Sequence, residues 1–233
     1  MNGTSGKMAA DWAGAYAAFR NSGVALGYPS ETVIRLFKGN YISGASLVCA
    51  GKSVLDVGFG AANNALFFAI SGMHVSGVEI HQDICDQAIA MFGKLGLTSD
   101  FRVGTNRALP YADDTFDYLV SWNVIHYEGD EANVKAAIRE YARVLKKGTG
   151  RLILSTTGPT HKILQDGRTL GGHRYEIGRA DDFRKGQVHF FFDAPKYMEH
   201  YFGAAFADMQ TGRIEDTLFR EKLDWLLVTG VAK

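Results

Sequence analysis

A chain of 233 residues, 46% hydrophobic and 21% charged, has the composition of a folded globular protein with a substantial core, most simply arranged as one domain. Its 25 basic residues are balanced by 25 acidic ones, so the formal net charge is zero and no global basic field would attract DNA or RNA. Cys49 and Cys85 lack a metal or redox spacing, no apolar stretch reaches membrane-spanning length, and Met1–Lys7 has no signal-peptide pattern; these features read as a reduced, cytoplasmic protein with no membrane partner.

In chain order, residues 8–48 read as helices broken around Gly23–Ser30. Trp12, Tyr16 and Phe19 recur on one helical face, and Ser30-Glu31-Thr32 looks like a helix start with Ile34, Leu36 and Phe37 as apolar contacts. The run Lys52–Asn64 comes next. An apolar strand ends at Asp56, a turn follows with Gly58 and Gly60, and a helix-like run covers Ala65–Ile70, the layout of a nucleotide-binding strand–turn–helix. A dinucleotide site needs a third glycine where this chain has Asn63. Met73–Ile80 is a second strand-like run, and it brings Glu79 to about 20 residues past the glycines, where an acid can accept from ribose hydroxyls. Strands and helices alternate to residue 156, which predicts a parallel sheet with helices on both faces. From Gly158 to His189 the pattern dissolves into a Gly-, Arg- and His-rich segment, too long for an ordinary connection. Asp193–Phe206 reads as a helix with Asp193 as cap and Pro195 in the first turn, and Met209–Ile214 and Leu223–Val231 read as the last two strands.

The pattern Asp56-x-Gly58-x-Gly60, with small Ala62 after it, resembles motif I of the class I S-adenosylmethionine-dependent methyltransferases. Phe101–Pro110, Asp114–Ser121 and Arg143–Ser155 are similar, in order and spacing, to that family's third strand and adenine loop, fourth strand and approach to the fifth. The resemblance covers roughly residues 50–156 and implies an α/β fold. That fold is a seven-stranded, mostly parallel, doubly wound sheet with an antiparallel C-terminal edge hairpin, helices on both faces and an N-terminal helical lid. It divides one domain into a lid (1–48), a cofactor-binding core (50–156), an acceptor-covering insertion (157–190) and a C-terminal helix and hairpin (191–233).

The cofactor implied is S-adenosylmethionine, with no metal. Asp56, Gly58 and Gly60 would form its turn, and Glu79 would accept from its ribose. Ile80 would pack on the adenine, although a strand-end apolar residue also reads as core. Thr105 stands where the family often has an aspartate facing the adenine amino group, so Asn106, or the backbone at Asn106 and Arg107, would serve instead. Ser121 and Asn123 would line the methionine half. Trp12 and Tyr16 would touch the cofactor from the lid, with Tyr28 a further candidate, and the bland alternative for these aromatics is helix core.

Methyl transfer from a sulfonium is an in-line displacement in which the protein supplies orientation and desolvation. A hydroxyl acceptor benefits from loss of its proton, and histidine suits that task. His126, in Ser121–Tyr127 at the carboxyl end of the fourth strand, is the first candidate base, against an equal reading as a capping or packing residue. His173, in the insertion, is the second. The insertion also carries His161, Arg168, Arg174, Arg179, Arg184, Lys185 and His189, a cationic cap suited to carboxylate, phosphate or sugar oxygens. Asp166, Glu176, Asp181 and Asp182 offset much of that charge, which is the case for a plain surface loop. No Asn/Asp-Pro-Pro-Tyr signature is present, which argues against DNA-adenine and protein-glutamine acceptors. The expected activity is O-methylation of a small polar, sugar-like or secondary metabolite. The alternatives are a quinone-, sterol- or carboxylate-directed methyltransferase and a non-catalytic S-adenosylmethionine-binding protein. The expected partner is a small-molecule methyl acceptor, with a homodimer left open.

Overall fold

The structure, a computed structural model, describes residues 27–233. Trp12, Tyr16, Phe19 and most of the expected lid lie outside the described residues. The helices are α1 (Glu31–Lys38), α2 (Asn63–Ile70), α3 (Gln82–Lys94), α4 (Glu131–Val144) and α5 (Pro195–Phe202). The strands are β1 (Ser53–Val57), β2 (His74–Glu79), β3 (Asp100–Val103), β4 (Tyr118–Trp122), β5 (Arg151–Thr157), β6 (Arg168–Gly171), β7 (Arg174–Glu176), β8 (Val188–Phe190), β9 (Phe206–Leu218) and β10 (Glu221–Ala232). Seven of them form one sheet in the order β3-β2-β1-β4-β5-β10-β9, as the sequence leads one to expect. The chain groups into two compact units, one reaching to Thr105 and one running from Asn106 to Lys233.

In the first unit β1 pairs with β2 and β2 with β3, both in parallel. β1 is buried along nearly its whole length, as a central strand covered on both faces should be, whereas the edge strand β3 buries only Phe101. Aromatic rings fill the packing. Phe37 of α1 lies 5.0 Å from Phe68 of α2, and Phe92 of α3 lies 5.0 Å from Phe101 of β3. Within α1 the fully buried residues are Val33 and Phe37, while Ile34 and Leu36 are only half-buried. Cys49 and Cys85 are both free and buried.

In the second unit β4 and β5 are parallel, and β10 runs antiparallel to both β5 and β9, giving the edge hairpin. Both hairpin strands run further than the sequence pattern marks, because paired backbone continues past the alternating segment. Helix α4 is capped by Asp130, which accepts the Asn133 N–H at 2.8 Å. The helix buries one stripe, Val134, Ala137, Ile138, Tyr141 and Val144.

The insertion differs from its sequence reading. It contains a three-stranded antiparallel sheet, β6-β7-β8. Strands of three or four residues are too short to leave a periodic signature. The cap of α5 is also corrected. Ala194 occupies the N-cap position without a side-chain bond, Pro195 takes the first turn, and Asp193 sits one residue outside beside His173. The helix ends at Phe202, and Phe206 already belongs to β9.

Candidate functional site

In the first unit, the chain leaves β1 through Gly58 (φ 66°) and Gly60 (φ 54°), both in the left-handed region that favours glycine. Phe59 between them anchors the turn. Its ring lies 4.6 Å from that of Phe101, and Gly77 of β2 keeps the space open, since a Cβ there would come within 2.5 Å of Phe59 and 2.8 Å of Phe101. Glu79 at the end of β2 closes the turn from its side chain. Its Oε1 accepts the Gly60 N–H and its Oε2 the Ile80 N–H, each at 2.9 Å.

Helix α2 then begins with Ala62 in a left-handed conformation and no capping side chain. The Asp56 carboxylate accepts the Ala65 N–H and so satisfies one free donor of the helix end. Asp56 Oδ2 is buried without a hydrogen-bond partner. Burial, followed by the Glu79 charge, pushes the Asp56 carboxyl up to about 8 against the Ala65 bond. Burial also raises Glu79, opposed by the Ile80 and Gly60 N–H groups.

Each Glu79 oxygen holds one backbone donor and keeps acceptor capacity, and Asp56 Oδ2 is unengaged, able to accept or, with its carboxyl raised to about 8, to carry the proton. An acceptor-rich turn of this kind fits a ligand that presents hydroxyl groups, such as a ribose, and offers no cation for a pyrophosphate. S-adenosylmethionine therefore fits the residues present. Ile80 beside Glu79 is partly exposed, Thr105 is half-buried, and Tyr28 is exposed.

In the second unit the candidate adenine and methionine contacts form a network of their own. Asn106 donates through Nδ2 to Glu128 at 2.8 Å and accepts through Oδ1 from Tyr141 Oη at 2.8 Å. Tyr141 Oη also lies 3.2 Å from Ser121 Oγ. Arg107 pairs with Glu128 at 2.8 Å and reaches Asn133 at 3.2 Å. Asn123, with φ 60°, donates its N–H to Ser155 Oγ at 2.9 Å and accepts the Ser155 hydroxyl at 2.5 Å. The Asn106 amide thus has both ends engaged, which leaves its backbone as the group it can offer a ligand. Sequence reasoning missed Glu128 and Tyr141, the centre of this network. Nothing local marks them, because Glu128 meets Asn106 from the 3-10 turn Ile125–Glu128 and Tyr141 from α4, both distant in sequence.

His126 lies in a short 3-10 turn, Ile125–Glu128, after β4. It is buried, with its ring 4.4 Å from Tyr127 and 5.1 Å from His189 of β8, and its Nδ1 has no partner. Burial holds its pKa well below the ordinary histidine value, helped by His189, Arg184 and His161, so the ring is neutral at physiological pH. His173 is elsewhere. It sits at φ 62°, 3.5 Å from the Asp193 carboxylate, an ion-pair distance without hydrogen-bond geometry, and 4.9 Å from the Tyr197 ring. His189 faces His126 and Phe190 faces His173; successive strand residues point to opposite sides, so the two candidate bases flank β8 rather than converge.

The expectation of a cationic cap is not met. Arg168 pairs with Glu176, Arg179 with Asp181 and Glu221, and Arg184 with Asp182, while Arg174 donates to the carbonyls of Gly171 and Leu170. The offsetting acids noted in the sequence are the partners. Phe190 and Phe192 are fully buried core, as their run suggests. Among the described residues no group of three or more His, Cys, Asp or Glu side chains could hold a metal, and no helix is long and apolar enough to cross a membrane.

Comparison with known proteins bears on the same segment. Residues 54–148 match the family model described as a methyltransferase domain. An uncharacterized methyltransferase of Bacillus subtilis, YcgJ, is 32% identical over 118 residues, which is 50% of this chain and 46% of that protein. The match thus spans about half the length of such curated relatives. A SAM-dependent methyltransferase from Methanosarcina mazei superposes with a TM-score of 0.65 at 18% identity, covering 78% of this chain and 93% of that one. A chain in the Haloferax volcanii complex of a methyltransferase with its Trm112 activator gives a TM-score of 0.68 at 16% identity, with 96% of each chain covered. At these identities the structural likeness is one of fold.

Proposed function

We propose that the chain is a class I S-adenosylmethionine-dependent methyltransferase and that it methylates an oxygen of a small polar metabolite, sugar-like or secondary. The observation that carries cofactor use is the Glu79–Gly60 closure of the Asp56–Gly60 turn, which leaves carboxylate acceptor capacity for a ribose. Bound there, S-adenosylmethionine would supply an electrophilic methyl group for the acceptor oxygen, with its thioether as the leaving group.

Everything else falls to the chain's own residues. Asp56, Gly58, Gly60 and Glu79 bind and orient, with Ile80 beside them. The backbone at Thr105, Asn106 and Arg107, together with Ser121 and Asn123, completes the family's binding positions. His126 takes the hydroxyl proton. Its neutral ring is ready to accept one, but its depressed pKa makes it a weak base, so positioning carries more of the rate than proton transfer does. His173, on the other side of β8, would serve only an acceptor bound there.

The test is transfer of a labelled methyl group from S-adenosylmethionine to a panel of hydroxyl compounds. Label appearing only on nitrogen or carbon acceptors would overturn the oxygen assignment.

A further inference from the structure

Six buried polar atoms of the second unit have no hydrogen-bond partner among the described residues, and four of them group together: His126 Nδ1, Thr157 Oγ1, His161 Nε2 and His189 Nδ1. Their side chains are buried to 5% exposure or less. They belong to one neighbourhood. His126 and His189 are 5.1 Å apart and share Tyr127, whose hydroxyl lies 3.3 Å from Arg184. Arg184 acts electrostatically on all three imidazoles, and His161 stacks 4.2 Å from Trp225, the cross-strand partner of Thr157. An unsatisfied buried polar group is costly to a fold. Four together point to a partner that the described residues do not supply.

The hydrogen-bonding sense of these atoms can be read from their neighbours. His161 Nδ1 accepts the Ile163 N–H at 3.0 Å, so its ring proton is on Nε2, an unused donor. His189 Nε2 lies 3.4 Å from Gln187 Oε1, which places the proton there and leaves Nδ1 as an unused acceptor. The Thr157 hydroxyl can do both. The nearby cation is already paired: Arg184 is held by Asp182 through two bonds of 2.7 Å.

We infer that this neighbourhood is the acceptor subsite and that it takes an uncharged hydroxyl-bearing molecule, an alcohol, phenol or polyol, rather than a carboxylate or phosphate. The inference rests on the methyltransferase reading and narrows its substrate class. A hydroxyl matches a surface that presents both a free donor and a free acceptor. A carboxylate or phosphate, which at neutral pH mainly accepts, would meet the lone pair of His189 and find Arg184 already paired. Burial keeps His161 at about 4 and His189 at about 3, so neither turns cationic near neutrality to attract an anion.

The experiment uses the full chain and three readouts. The first is thermal unfolding of Thr157→Val. If the hydroxyl waits for a ligand, the unliganded variant keeps or raises its melting temperature; a fall of more than about 2 °C means that the hydroxyl serves the fold, and overturns the inference. The second is release of demethylated cofactor with methyl β-D-glucopyranoside and catechol against glucuronate and glucose 6-phosphate. Turnover at least tenfold faster with the neutral members is expected, and a preference for the anions overturns the inference. If none of the four is turned over, the melting result decides alone. The third is calorimetric binding of S-adenosylmethionine. Its failure defeats the methyltransferase reading itself, whereas binding combined with anion preference or a lower melting temperature defeats only the acceptor assignment.

Discussion

Glu79 hydrogen-bonds the backbone of the glycine turn it is expected to serve: its Oε1 holds the Gly60 N–H at 2.9 Å while its Oε2 holds the Ile80 N–H. One carboxylate thus shapes the turn and retains lone pairs for a ligand. Glu79→Ala should weaken S-adenosylmethionine binding by roughly 10- to 100-fold, the loss of about 1.5–3 kcal/mol from a charge-assisted bond. It should also lower the melting temperature, because two backbone donors lose their acceptor. Calorimetry and thermal unfolding of the same preparation check both, and unchanged affinity would remove Glu79 from the site.

Gly58→Val should lose cofactor affinity and some stability together, because φ 66° is strained for a β-branched residue. Gly77→Ala offers a remote control. Its Cβ would meet the Phe59 ring at 2.5 Å, so it should disturb the turn without adding an atom to it. Reduced S-adenosylmethionine affinity in a folded Gly77→Ala variant is the expected result, and wild-type affinity would mean that Phe59 does not set the turn.

His126→Ala should lower turnover by roughly 10²–10⁴-fold with cofactor affinity nearly unchanged, if the ring accepts the acceptor's proton. Because burial depresses its pKa, the acid limb of the wild-type rate profile should lie well below the ordinary histidine range. His173→Ala, on the other side of β8, should retain turnover. Full activity in His126→Ala would leave orientation as the whole of the mechanism.

Stability should fall on the acid side. His161 and His189 are held at about 4 and about 3 by burial, against an unfolded value near 6.5; Arg184 adds to the effect at both and Lys162 at His161, while Asp182 opposes it at both and Asp224 at His161. Below pH 6.5 the unfolded chain binds protons that the folded one refuses. Stability is therefore fully present above that pH and is lost progressively as pH drops towards the folded values, by several kcal/mol in sum. Denaturant unfolding at pH 7, 5.5 and 4.5 checks the sign. His189→Gln should flatten the dependence, and a stability that rises on acidification would contradict the buried neutral state.

Much of this was legible in the sequence where the signal is local. Asp56, the two glycines and Glu79 form a motif whose spacing is fixed by one strand–turn–helix and its neighbour, and the alternation to residue 156 predicts a parallel sheet with helices on both faces. Signals that arise only on folding were not legible. Asn106 meets Glu128 from the turn Ile125–Glu128 and Tyr141 from α4, and the insertion's arginines find their acids across short strands and, for Arg179, across the chain at Glu221. The insertion's charge count therefore suggested an anion clamp that ion pairing removes. His161 and His189 are visible as residues, but the approach of His189 to His126 depends on β8 lying beside the turn after β4.

The central claim, that the Asp56–Gly60 turn with Glu79 is a site for S-adenosylmethionine, is tested most directly by calorimetric titration of the full chain with S-adenosylmethionine, its demethylated product and NAD. Saturable binding of the first two at one site per chain, weakened in Glu79→Ala, with no NAD signal, is the predicted result. Saturable NAD binding without any response to S-adenosylmethionine would contradict it.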